Sequence, residues 1–311
     1  MRLSGMKTTW LAGCCLFLAS ALCYGADAGV ITILDGSARV LHGVIWYKLA
    51  EGARVQDGDV IEAGDRTQVQ LELVAGPIVN FVGPAAVYTV APGSREGKQP
   101  TPAELYLPHG WLKFAVKPPG VALRLRTAAG GLSSADAVGV VHAGDDAIEV
   151  FLETGSAKLQ EPGKTGADGA AHDVRGGDFA LHAPDRPFAT SGAAPQKFVA
   201  ALPRHFRDPL PSRAAQYQVV RVQLVADRPI SYAEAEPWIT SAYRRAFLKR
   251  LQPRLSDPEF RAPVMAKLQA YPEWQAVLVP AEAANKDKAE PPKTPEKTES
   301  GWKWPFGDTK K

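Results

Sequence analysis

Val55-Gln56-Asp57-Gly58-Asp59-Val60-Ile61-Glu62-Ala63-Gly64-Asp65, followed by the alternating run Gln68-Val69-Gln70-Leu71-Glu72-Leu73, decides the fold. Strict polar–apolar alternation predicts a half-buried strand, because successive side chains point to opposite faces of a sheet. Two Gly-Asp pairs bracket Val60-Ile61-Glu62-Ala63, which predicts a short strand between two tight turns. Glycine tolerates the positive φ of such turns, and aspartate can bond its own turn backbone. Gly58, Asp59, Gly64 and Asp65 are therefore expected to be structural turn residues, with Gly58 and Gly64 at positive φ. On that basis Gly58→Val should cost about 1–3 kcal/mol.

The pattern continues outward from there. Val121, Leu123 and Leu125 alternate with Ala122, Arg124 and Arg126, and Ile148, Val150 and Leu152 alternate again further on. Turn signals separate the runs at Asp35-Gly36, Gly130-Gly131 and Gly144-Asp145. Many short strands at close spacing favour a β-sandwich or roll of antiparallel strands over a βαβ fold. An internal echo is visible. One half runs from Gly36 through the Gly-Asp turns to Val90, and the other opens at Gly110-Trp111-Leu112-Lys113-Phe114 and closes at Gly177-Asp178. Gly177 and Asp178 are therefore also expected to be turn residues. The polar stretch from Glu161 to Asp173 reads as a loop.

The expected organisation is a signal peptide at 1–26, a β domain at 27–183, a linker or extended segment at 184–229, a small helical subdomain at 230–280 and a disordered tail at 281–311. Ser231-Tyr232-Ala233-Glu234 has the form of a capping box, and Ile239, Tyr243, Phe247 and Leu251 recur every four residues. Ser256-Asp257-Pro258-Glu259 has the form of a second box, opening a helix through Phe260, Val264 and Leu268, and Pro272-Glu273-Trp274 starts a third. The tail is rich in Lys, Glu, Pro and Thr, interrupted by Trp302, Trp304 and Phe306.

The stretch from Leu49 to Asp65, with Gly52 and the two Gly-Asp pairs, is similar to the FecR domain, as is the strand type Val69-Gln70-Leu71-Glu72-Leu73 after it. So are Gly110 before its apolar strand, Glu149-Val150-Phe151-Leu152-Glu153-Thr154-Gly155, and the closing Gly177-Asp178. The resemblance covers roughly Gly29 to Leu181. It implies a mainly β, FecR-type fold in the cell envelope, where members relay transporter occupancy to a sigma factor. This sequence has no cytoplasmic segment before its apolar run, and it shows Ala75-Gly76-Pro77 and Val138-Gly139-Val140 where the family often shows Asp-Gly-Thr and Gly-Thr. The resemblance therefore implies the domain type and the compartment, and the relay is not expected of this sequence.

Arg2 and Lys7, the apolar run from Trp10 to Cys23 and the small residues Gly25-Ala26-Asp27-Ala28 form a signal sequence, cleaved after Ala26 or Ala28. The run is too short to span a membrane, so no transmembrane segment is expected after cleavage. All three cysteines, Cys14, Cys15 and Cys23, lie within it. The mature chain would therefore have no disulfide, thiolate nucleophile or cysteine metal site. Lys plus Arg number 36 against 33 Asp plus Glu; losing Arg2 and Lys7 leaves 34 against 33, which disfavours nucleic-acid binding.

No constellation carries chemistry, and no cofactor, metal site or catalytic residue is expected. The six histidines show no metal spacing. Gly131-Leu132-Ser133-Ser134-Ala135 lacks the second glycine of a nucleophile elbow, and Gly163-Lys164-Thr165 lacks the first glycine of a phosphate loop. Glu149/Glu153 and Asp145/Asp146 have no evident partner. From Lys197 to Arg261, twelve cations face six acids. Within this stretch Arg204, Arg207, Arg244, Arg245 and Lys249 are the candidates for a face that docks something anionic. The expectation is a non-catalytic periplasmic binding or scaffolding module, possessing as partner an envelope protein or an anionic cell-wall or membrane component. The alternatives are a cell-wall glycan enzyme and the ligand-sensing domain of a regulatory system.

Overall fold

Turn chemistry and alternation place the strands. In the computed structural model, which describes residues 27–74, 76–90, 101–163, 168–184 and 186–278, contacts divide the chain into two units after Ile230. The first is mainly β. Its strands are β1 (Asp27–Asp35), β2 (Ala38–His42), β3 (Ile45–Lys48), β4 (Arg54–Gln56), β5 (Val60–Ala63), β6 (Gln68–Leu73), β7 (Ile78–Val82), β8 (Ala85–Val90) and β9 (Ala103–Tyr106). They continue as β10 (Gly110–Val116), β11 (Leu123–Thr127), β12 (Gly130–Ala143), β13 (Ile148–Pro162), β14 (Asp168–Arg175), β15 (Phe179–His182), β16 (Ala189–Ser191) and β17 (Val225–Pro229).

The long strands β12 and β13 belong to two arms of one sheet. Their upper parts continue a first arm, β4–β1–β6–β7–β10–β12–β13–β15–β16. Their other parts continue a second arm, β14–β13–β12–β11–β9–β8–β5–β2–β3–β17. Every pairing is antiparallel except β9 with β11. Register shifts in β12 between Ser133 and Asp136 and between Val138 and Gly139 mark where the strands cross from arm to arm. Leu71, Val79, Phe81, Leu112 and Phe114 of the first arm share one buried core with Ile61, Val87, Leu123, Leu125 and Leu132 of the second.

The internal echo is a repeated turn. Asp59 Oδ2 accepts from Gln56 N at 2.8 Å, and Asp178 Oδ2 accepts from Arg175 N at 2.9 Å. Gly58, at φ +81°, donates its N–H to Thr89 O, and Gly177, at φ +94°, donates to Leu152 O. Thr89 N and Leu152 N return bonds to Asp59 O and Asp178 O. Each Gly-Asp pair thus turns the chain and fastens it to a strand from elsewhere in its half.

The second Gly-Asp pair works differently. Gly64 is not at positive φ; Arg66 is, at +55°. The corner is fastened by Thr67, whose hydroxyl accepts from Ser37 N at 3.0 Å and donates to Ser37 O at 3.1 Å. Gly64 is needed instead for close approach, since a Cβ there would lie 3.1 Å from Ser37 O. The polar stretch after Glu161 is also not simply a loop, because β13 runs on to Pro162 and β14 returns from Asp168.

Segment 184–229, expected as a linker or extended segment, carries elements of its own. It contains β16, the helix α1 (Gln196–Ala201), two short 3-10 turns at Arg204–Arg207 and Ala214–Tyr217, and β17. Phe198 and Phe206 are buried with Val140 and Phe179 on the outer face of the first arm. From there the chain crosses that face as a strap. This explains why β6 is buried on both sides rather than half-buried: Gln70 and Glu72, the polar half of its alternation, lie beneath residues 211–213.

The second unit, from Ser231, is helical. The capping box at Ser231 forms as expected: Ser231 Oγ accepts from Glu234 N, and Glu234 bonds back to Ser231 N. The four-residue periodicity does not form one helix. It is divided between α2 (Tyr232–Ile239) and α3 (Arg244–Leu251), although Ile239, Phe247 and Leu251 are all buried. Pro237, within α2, withholds an N–H from the ladder. The next cap is Asp257 rather than Ser256; its side chain accepts from Glu259 N at 2.9 Å to open α4 (Pro258–Ala266). Leu268 lies beyond that helix, and α5 (Pro272–Leu278) ends the described chain. The expected signal sequence and the aromatic tail lie outside the described residues.

Candidate functional site

Outward positions on neighbouring strands of the second arm line up into a row. Arg124 of β11 stands opposite Ser133 of β12, Ser133 opposite Lys158 of β13, and Lys158 opposite Asp173 of β14. Alternation puts Leu125, Leu132 and Leu159 into the core, so these polar neighbours face outward. Two residue pairs along, on the same face, Ser156 stands opposite Arg175. Together with Pro102, Ala122, Ser134, Ala135, Ala157 and Val174 they line an open groove of about 550 Å³.

The groove sits where the two long strands change arms, and the irregular backbone there shapes its floor. Ser134 Oγ donates to Ser156 O at 2.7 Å and accepts from Asp136 N at 3.1 Å, which fixes the bend. Three cations, Arg124, Lys158 and Arg175, line the groove against one carboxylate, Asp173. That carboxylate is 3.9 Å from Lys158 with both side chains well exposed, a weak attraction. Arg124 approaches Glu104 only at 3.8 Å, Glu104 being closer to Arg126, at 3.4 Å. The Arg124 Nε–H is buried without a hydrogen-bond acceptor. Cations and hydroxyls side by side can hold an anionic, hydroxyl-bearing ligand by charge-assisted hydrogen bonds. Ser133, from the incomplete elbow, lines this groove in mid-strand rather than on a strand-to-helix turn.

The cationic residues expected from sequence are divided between the two units. Arg204 and Arg207 are exposed on the strap of the first unit, flanking the buried Phe206. Arg244, Arg245 and Lys249 belong to the second unit. Arg244 is committed within it: its guanidinium donates to Glu273 at 2.9 Å, to Ala270 O at 2.7 Å and to Ile239 O at 3.3 Å, and lies over the Tyr271 ring. Its hydrogen bond holds the Glu273 carboxyl below the usual carboxylate range. Arg244 is thus a fastening of the helices, and only Arg245 and Lys249 of that trio are exposed. The acidic pair Asp145/Asp146 lines a separate cavity of about 310 Å³ with His182. Glu149 and Glu153 are engaged by His142 and Lys113. No group of three or more metal-ligating side chains suited to a metal ion occurs among the described residues. None of the described helices is long and apolar enough to cross a membrane.

Sequence reasoning missed the groove because Arg124, Lys158 and Arg175 are spread over 52 positions and ordinary in composition. Only the strand register brings them together. Comparison with known proteins adds little to this geometry. No family model matches the chain, and no curated protein matches it. Two crystal structures, each of a protein provisionally named an anti-sigma factor from Parabacteroides distasonis ATCC 8503, are similar at TM-scores of 0.36 and 0.37 with 14% and 15% identity. Each match covers 45% of this chain, which spans 62% and 63% of the other two. A likeness that slight identifies neither a shared fold nor a shared activity.

Proposed function

We propose that this chain is an exported, non-catalytic binding or scaffolding module of a bacterial envelope, and that the groove of the second arm holds an anionic, hydroxyl-rich wall or membrane component. The observation that carries this reading is the cross-strand row of Arg124, Ser133 and Lys158, with Arg175 beside it. Exposed charges act over about 8 Å at physiological ionic strength, so binding should weaken as salt is raised. Co-sedimentation of the purified protein with isolated cell wall, and separately with anionic vesicles, tests it. The triple variant Arg124→Glu, Lys158→Glu, Arg175→Glu should lose at least about tenfold in binding while keeping its circular dichroism, each reversal removing one attraction and adding a repulsion. Wild-type sedimentation by that variant would remove the groove from consideration. Release of new soluble fragments from the wall would instead favour an enzyme.

Export supports the envelope setting and has its own test. The Arg2/Lys7 segment, its apolar run and the small residues after it predict a mature chain beginning at Asp27 or Gly29. N-terminal sequencing of periplasmic material should read one of those starts. A chain retaining Met1 or Met6 would count against cleavage.

A further inference from the structure

The outer face of the first arm carries a second row, and it grips main chain. Gln70 of β6 stands opposite Asn80 of β7, and Asn80 opposite Lys113 of β10. Residues 206–218 lie over these strands. Lys113 Nζ donates to Phe206 O at 2.7 Å and Asp208 O at 3.1 Å. Gln70 Nε2 donates to Pro211 O at 2.8 Å, Glu72 Oε1 accepts from Arg213 N at 2.6 Å, and Arg54 Nη2 donates to Tyr217 O at 2.8 Å. Arg54 Nη2 also reaches Gln218 O at 3.4 Å, so four sheet side chains hold six main-chain groups. The strap's own side chains contribute fewer fixings: Phe206 is buried, Ser212 Oγ donates to Glu72 Oε2 at 2.9 Å and the Tyr217 hydroxyl donates to Glu51 Oε2 at 3.3 Å, whereas Arg207, Asp208, Pro209, Pro211 and Arg213 are exposed. Recognition of that kind depends little on the sequence recognised.

The strap also satisfies the row incompletely. Gln70 and Asn80 are fully buried, and Gln70 Oε1 and Asn80 Oδ1 have no hydrogen-bond donor. Buried acceptors are ordinarily paired, so the row is furnished to meet N–H groups as well as the carbonyls it already holds. An extended polypeptide offers both along its length.

We propose that this row reads the main chain of an extended segment from a partner polypeptide, with an aromatic side chain in the place of Phe206, and that residues 206–218 occupy it in cis until displaced. This surface is distinct from the cationic groove and stands or falls without it. The test uses the whole protein and a labelled synthetic peptide with the sequence of residues 203–218. Wild type should bind the peptide weakly, because its own strap competes. Phe206→Ala should loosen the strap and bind at least about tenfold more tightly, since an occupied site lowers apparent affinity by the fraction that is free. Adding Lys113→Met or Glu72→Leu should abolish that gain, and a peptide scrambled around its phenylalanine should bind nearly as well. A folded Phe206→Ala protein that ignores the peptide, or binds it regardless of Lys113 and Glu72, overturns the proposal. Should Phe206→Ala fail to fold, hydrogen exchange on wild type decides. Strap amides such as Arg213 must exchange well ahead of those in β6, β7 and β10, and equal protection makes the strap a fixed cover.

Discussion

Gly155→Ala should destabilise the first unit far more than Gly58→Val. Both glycines hold φ near +80°. At Gly58 nothing lies within 4 Å of a Cβ, so the cost there is backbone strain alone, about 1–3 kcal/mol even for a β-branched residue. At Gly155 a Cβ would collide with Asp136 O and sit 2.7 Å from Ala137 Cα. These are backbone atoms of the neighbouring strand, so no rotamer change relieves the clash. The strands would have to separate where β12 and β13 cross between the arms, and where Gly176 N bonds to Gly155 O at 2.8 Å. A cost above about 4 kcal/mol is expected, a large part of the stability of an ordinary domain. Denaturant midpoints of the two variants and wild type are the measurement. Equal midpoints for Gly155→Ala and Gly58→Val would mean that the crossing adjusts without strain.

That contrast also shows how far the sequence could be read. Gly58, Asp59, Gly177 and Asp178 were legible because a turn is local: four residues contain its donors, its acceptor and its glycine. Val60–Ala63 was legible as a strand for the same reason. Gly64 was misread because its role is set by Ser37, 27 positions away, and the left-handed residue of that corner is Arg66. The strap was misread for a related reason. Proline-rich, weakly periodic sequence resembles a linker until it is known that Phe198 and Phe206 have a pocket. The candidate groove was illegible, since Arg124, Ser133 and Lys158 are neighbours only through the register of β11, β12 and β13. Arg244 failed in the other direction. Its sequence neighbours suggest a solvated basic face, yet its partners Ala270, Tyr271 and Glu273 come from the far end of the helical unit.

Lys113→Met should be the second large effect, at an outer-face position of β10 that the strap covers. Only 1% of its side chain is exposed, and its three N–H donors meet Glu153 Oε1 at 2.7 Å, Phe206 O at 2.7 Å and Asp208 O at 3.1 Å. Removing one partner of a buried pair costs about 3–5 kcal/mol, because what remains is left without compensation. Glu153 softens that figure, since a third of its side chain is exposed and water can reach it. The Phe206 carbonyl, whose contact is buried, has no such recourse, and an unmet buried group costs about 1–3 kcal/mol. A net loss of about 3 kcal/mol is therefore expected, with Glu153→Gln costing less because the ammonium keeps both carbonyls. The double variant Lys113→Met, Glu153→Gln should cost less than the sum of the two, as coupled partners do. Chemical denaturation of the four proteins closes this cycle. Should Lys113→Met match wild type, Phe206 with the Gln70, Glu72 and Arg54 bonds would suffice to seat the strap, and the main-chain grip at Phe206 and Asp208 would contribute nothing measurable to holding it.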